Sequence, residues 1–172
     1  MSDITSVHNL TGNLGDVRRT NNFILSIDGL EGSSLDLVVQ KAFLPKLQLN
    51  VLELRHGNDA KKYAGVASWE GGQVTIWDTL SQLELDAVLA WYQSTYDWET
   101  GVIGNSAEYK KAGTIREYAA NSQFIREWRL QGLWISELDL GELDASQGEM
   151  KQISFTIQID PQQSFAPSYE KY

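Results

Sequence analysis

The 172-residue sequence contains no cysteine, so neither disulfides nor thiolate metal ligands hold it together. Histidine is nearly as scarce. His8 and His56 are the only two, too few for a histidine metal cluster, and neither has a nucleophile in a recognised neighbourhood. The three prolines, Pro45, Pro161 and Pro167, fall at expected strand ends or beyond, so no proline-rich linker divides the chain and one domain over residues 1–172 is expected. No window approaches the roughly 18 apolar residues that cross a bilayer as a helix, and the opening MSDITSVHNLTGNLGD carries neither the basic nor the apolar region of a secretory signal. A soluble protein made in the cytoplasm is expected. Bases are also in deficit, 14 against 23 acids, for a net charge of -9. Gripping nucleic acid requires Lys and Arg to neutralise phosphates, and this balance works against a duplex reader.

Catalytic signatures are missing as well. There is no G-x-S-x-G elbow and no G-x-x-x-x-G-K-[ST] loop, and the glycines at 101 and 104 do not complete a dinucleotide fingerprint. Glu137 with Asp139, or Glu142 with Asp144, supplies the two carboxylates that glycoside hydrolysis uses, but nothing in the sequence marks any of them as buried. The sequence therefore predicts a protein that is not an enzyme and needs no metal or cofactor.

What is present is mostly period-two alternation. Phe23, Leu25 and Ile27 alternate with polar or edge positions up to Gly29, and residues 35–43 form an apolar run stopped by Pro45. Leu47, Leu49 and Val51 make a third strand, whose alternation slips near Val51 and predicts a bulge there. Residues 55–65 are polar and glycine-punctuated and predict an exposed loop carrying Arg55, Lys61 and Lys62. Val74 and Ile76 follow a Gly-Gly pair in another strand. One helix is predicted, over residues 83–96, opened by a capping box at Ser81 and Glu84 and striped by Leu85, Val88, Leu89, Tyr92 and Tyr96. Further on, Trp128 and Leu130 share one strand face, and Ile153, Phe155, Ile157 and Ile159 alternate without a break. The sum is mainly β: about seven or eight strands in a sandwich or small barrel with one flanking helix. Residues 1–20 and 162–172 read as a polar arm and tail, to be held by neighbouring copies if ordered.

Two stretches carry a resemblance. From residue 107 the chain reads AEYKKAGTIREYA, then EWRLQGLWISELDLGELD, then KQISFTIQIDP. Ala107, Glu108, Tyr109, Lys110, Lys111, Arg116, Tyr118, Ala119, Gly132, Leu133, Trp134, Gly141, Leu143 and Asp144 stand in the order found in the tail tube proteins of contractile-tailed bacteriophages. Lys41-Ala42-Phe43-Leu44-Pro45 resembles an earlier strand end of that family, so the resemblance extends from about residue 22 onward. One departure is Ile135, where the family commonly places a proline after its Gly-Leu-Trp turn.

The resemblance implies a structural virion protein: homohexameric rings stacked into a hollow tube inside a sheath, bounded by baseplate and terminator proteins, with DNA passing through. It implies assembly in the host cytoplasm. On that reading Arg55, Lys61, Lys62, Trp91, Lys110 and Lys111 are candidate contacts between subunits or rings. Glu137, Asp139, Glu142, Asp144 and Glu149, a run of acids without a base among them, are candidates to face the lumen, where a wall repelling phosphate would not trap DNA. An inner tube of a contractile injection system carrying protein effectors is similar in every respect but cargo. From another class, six tryptophans and abundant acids would also suit a carbohydrate-binding β-sandwich module.

Overall fold

The alternating segment near the C-terminus forms β10 (Gln152–Gln158), the spine of the molecule in a computed structural model that describes residues 22–30, 35–119, 121–144, 146, 148–162 and 167–168. Ile153, Phe155 and Ile157 are buried to 1% exposure or less, because every second side chain of a strand points to the same face. β10 lies antiparallel between β5 (Gly72–Trp77) and the second half of β9 (Phe124–Asp139). The first half of β9 pairs with β8 (Lys111–Tyr118), which pairs in turn with β1 (Phe23–Ile27). On the far side of β5 lies the short β2 (Val39–Lys41). The order is thus β1-β8-β9-β10-β5-β2 in one antiparallel sheet.

The fold is mainly β with a flanking helix, as expected, and among the described residues six strands join into one antiparallel sheet that does not close into a barrel. β9 is the reason. At 16 residues it is long enough to pair with β8 along its first half and β10 along its second, fusing two strand groups into one sheet. Two irregularities make that possible. Between Leu130 and Leu133 the strand advances three residues while β8 advances two, and between Ile135 and Leu138 it gains another residue on β10. Each bulge restores the phase, so that Leu130, Leu133, Ile135 and Leu138 all reach the core despite their uneven spacing. The Gly-Leu-Trp segment is therefore a mid-strand bulge and not a turn: Gly132 has φ +66°, and Ile135 pairs with Ile157.

The helix α2 (Leu83–Thr95), followed by the paired two-residue strands β6 (Tyr96–Asp97) and β7 (Val102–Ile103), covers the core face of this sheet. Its buried side is Glu84, Val88, Trp91 and Thr95, with Leu85 and Tyr92 packed partly against the core, so the stripe is rotated from the expected one toward Trp91. The capping box does not form. Gln82 occupies the cap position with φ 60°, and the Glu84 carboxylate instead accepts hydrogen bonds from Thr79 (2.6 Å) and Ser81 (2.8 Å) side chains. Those donors are what allow a buried carboxylate, and the Thr79 hydroxyl above all keeps the Glu84 carboxyl below its ordinary range. Residues 35–43 also differ from the expected strand: one helical turn, α1 (Leu35–Val38), precedes β2. The arm at residues 1–20 with His8, the residues 31–34 and most of the tail lie outside the described residues.

Candidate assembly interface

Around its Gly57-Asn58 turn, the segment expected as a loop is strand on both sides. β3 (Lys46–His56) and β4 (Asp59–Glu70) form a two-stranded ribbon joined by Gly57-Asn58, with glycine at the first turn position at φ +63°. The register slips between Leu49 and Val51 as the sequence suggests, although the extra residue lies on β4. Among the described residues, nothing covers the ribbon. Every residue of β3 is exposed, and so is every residue of β4 except Gly65 and Trp69. Its apolar residues cross from one face to the other. Leu47, Leu49 and Val51 share the first face with Trp69, Ala67 and Ala64 near the root, whereas Leu52 and Leu54 share the second face with Tyr63 toward the tip. Leu49, Leu54 and Val66 are 54%, 63% and 80% exposed, which in an isolated chain leaves apolar surface in water on both sides.

The basic candidates are distributed differently from expectation. Lys61 and Lys62 sit on β4 and, as neighbours on a strand, point to opposite faces, opposite Leu54 and Glu53 respectively. Arg55 pairs with Glu53 at 2.7 Å. Lys110 is held within the chain: its ammonium lies 2.7 Å from both carboxylate oxygens of Asp160, which leaves less of it for a neighbour than the sequence suggests. Lys111 opens β8 and, with Glu108, lines a separate cleft of about 320 Å³ beside α2. Trp91 is part of the core, 2% exposed, with its indole N–H donated to the Tyr109 carbonyl at 2.8 Å. Its surface is used inside the chain, a correction to its reading as an intersubunit contact.

Four of the five acids do gather. Asp139, Glu142, Asp144 and Glu149 line one open cleft of about 590 Å³, together with Lys41 from β2 and Lys151 just before β10. Spacing along the chain hid both lysines, and Lys151 is engaged with Asp78 at 2.9 Å. The Ser146 hydroxyl and amide hold the exposed Asp144 carboxyl below its usual range. Glu137 lies beside this group on β9, opposite Thr156. Around it the sheet presents a polar face that sequence reasoning did not single out: Gln73 and Thr75 on β5, Ser154, Thr156 and Gln158 on β10, Ser136 and Asp139 on β9. Hydrogen bonds knit it across strands, Gln73 to Ser154 (3.1 Å) and Gln158 to Ser136 (3.2 Å). No Lys or Arg occurs in β5, β10 or the paired second half of β9.

On the first half of β9 the outward face is ionic instead. The largely buried Glu127 carboxylate accepts from Arg116 (2.7 Å) and Arg129 (3.0 Å), and these guanidinium partners, Arg116 first, hold its carboxyl below the ordinary glutamate range. A carboxylate with a lowered folded pKa adds stability above the unfolded value, about 4.3, and loses it as pH falls through the folded value. Replacing Glu127 by Gln is therefore expected to flatten the acid limb of a pH–stability curve below about pH 4, measured by urea unfolding. An unchanged acid limb would show the triad to be neutral to folding.

Residues 19–161 match the family model described as the T4-like virus tail tube protein gp19. The chain belongs to this tail tube family. Membership makes it a structural protein of a phage-like tail. No curated protein matches the chain in sequence. Among solved structures, the chain is similar to a protein of the anti-feeding prophage tube-terminating cap, with 14% identity, a TM-score of 0.66, and coverage of 86% of this chain and 89% of that one. It is similar also to chains of an extracellular contractile injection system: one from the extended sheath–tube complex (14% identity, TM-score 0.58, 94% and 96% covered) and one from the sheath/tube terminator (16%, 0.61, 86% and 96%). At these identities the likeness is one of fold.

Proposed function

We propose that the chain is the repeating subunit of a contractile phage tail tube: one domain over residues 1–172, six copies closing into a ring, and rings stacking into a conduit for DNA. The observation that carries this reading, beyond the family itself, is the solvated β3–β4 ribbon. A lone two-stranded ribbon is marginal in water, and one with apolar residues on both faces needs covering on both. Neighbouring copies of the same chain supply that cover in a ring or filament, since a contact between unlike surfaces of identical subunits repeats until it closes or continues. Such pairing also removes the edges at β1 and β2.

The polar face of β9, β10 and β5 suits the bore. Glu137 and Asp139 on it, with Glu142, Asp144 and Glu149 at its margin, give a wall that repels phosphate, and DNA that must slide is not held at each ring. Sheath, baseplate and terminator proteins are the partners this role requires, in line with the assemblies named for the solved relatives. The particle is a virion tail put together in the host cytoplasm. The alternative inner tube of a contractile injection system, conducting protein, is favoured by the same solved structures and differs in cargo alone.

Electron microscopy of the purified protein tests the reading: rings or tubes with the polar face inward are expected, and a stable monomer at high concentration would overturn it. The ribbon tip, with Arg55, Lys61 and Lys62, reaches the adjacent ring and meets acids there. Because the two lysines face opposite sides, both are reversed in the test. Lys61→Glu with Lys62→Glu is expected to give isolated rings, and roughly 0.5 M salt to weaken stacking of the unaltered protein, since exposed pairs are screened beyond a few ångströms at that strength. Normal tube growth by the double variant would remove this contact.

A further inference from the structure

After β10, the described residues 159–162 and 167–168 stay against the body. The Asp160 amide donates to the Gln131 carbonyl (3.3 Å). The Gln162 side chain then imitates a strand partner at the same residue: its Oε1 accepts from the Gln131 amide (2.9 Å) and its Nε2 donates to the Gln131 carbonyl (3.1 Å). Four residues back along β9, Ser168 exchanges both backbone hydrogen bonds with Glu127, at 3.0 and 2.9 Å, as an antiparallel bridge. β8 occupies the opposite edge of this half of β9, through Gly113 against Leu130 and Ile115 against Trp128. The described residues of the C-terminal segment thus sit on the edge that β8 leaves open, with hydrogen bonds to their own chain.

Its attachment is thin. Asp160, Gln162 and Ser168 are polar, and the bonds they make lie at exposed or half-buried positions. Hydrogen bonds of this kind are worth little net of those to water, whereas a full strand from another copy brings a ladder and side chains together. An uncovered edge is in turn a template for open-ended pairing.

We propose that the C-terminal segment is a removable edge guard: in the free subunit it occupies the β9 edge at Glu127 and Gln131 and holds back strand addition by a second copy of this chain, and it is displaced when copies join. This rests on the tube reading above, in which copies meet through their strand edges. The guard acts on when assembly starts, not on whether the sheet folds.

The test compares three full preparations: the unaltered chain, Ser168→Pro, which lacks the N–H given to Glu127, and a chain ending at Pro161. Circular dichroism checks that each is folded, while light scattering and electron microscopy give the concentration at which rings or tubes appear. Ser168→Pro loses one modest backbone hydrogen bond and is expected to assemble at roughly one fifth of the usual concentration, and the chain ending at Pro161, which loses the bonds of both Gln162 and Ser168, at about one tenth or less. Assembly by the variants alone would support the guard still more strongly. An equal or higher threshold in both variants, with the unaltered chain forming tubes, overturns the guard and leaves the tube reading standing. Absence of rings and tubes in all three overturns both.

Discussion

Joining Gln48 to Ser68 through an Asn-Gly turn, and so removing residues 49–67, is expected to leave the six-stranded sheet folded and to abolish tube formation. Gln48 and Ser68 are paired across the ribbon, and Asn-Gly has the backbone freedom a two-residue hairpin turn demands. Among the described residues, the hydrogen bonds and ion pairs of 49–67 run only within the ribbon: the cross-strand ladder, Asn50 to its neighbour Val51, and Arg55 to Glu53. Trp69, which does pack against the core, is retained. Little native stability is lost, and the melting temperature should stay within about 3 °C, the scale of a change near 1 kcal/mol in a chain of this size. Assembly loses every contact the ribbon makes in trans. Tubes of normal length from the shortened chain would mean that subunits join elsewhere, and an unfolded product would mean that the ribbon supports its own body.

What the sequence made legible follows from where each segment sits. β10 was readable because one face of it is buried along its whole length, so Ile153, Phe155, Ile157 and Ile159 obey period two without exception. β9 obeys a different rule. Its core residues Leu130, Leu133, Ile135 and Leu138 are spaced three, two and three, a pattern that fits neither strand nor helix until two bulges are inserted. The ribbon misled for the opposite reason: burial on the subunit's own core imposes no pattern on it, so residues 55–65 are polar enough to look like a loop while holding the end of β3, the turn and the first seven residues of β4. At α2, a tryptophan at the margin of a stripe reads as peripheral, yet Trp91 is large enough to reach the core and has the Tyr109 carbonyl to take its N–H. The acids were visible as a run, but the lysines that share their cleft arrive from β2 and from beside β10, and strand order is not written in linear spacing. The edge guard rests on Gln162 and Ser168, two polar residues in a polar tail, for which no sequence signal exists.

The bulge that lets β9 serve both strand groups should also be a sensitive single position outside the core. Gly132 has φ +66°, where a β-carbon meets the following carbonyl and costs on the order of 1–2 kcal/mol. Space forbids it separately. A methyl group there would overlap the Asp160 carboxyl group and come within 2.6 Å of the Asp160 Cβ, and that carboxylate is fixed by its two contacts with Lys110 and by the Asp160 amide bond to Gln131. Gly132→Ala is therefore expected to cost about 3 kcal/mol, or a fall of roughly 6–12 °C in melting temperature for a chain of this length. Gly132→Ala with Asp160→Gly separates the two causes. Removing the carboxylate relieves the overlap but not the backbone strain, so the pair should recover part of the loss relative to Gly132→Ala alone. If Gly132→Ala melts with the unaltered protein, the left-handed bulge is not what joins the two halves of the sheet. A double variant no more stable than the single one would place the whole cost in the backbone and none of it at Asp160.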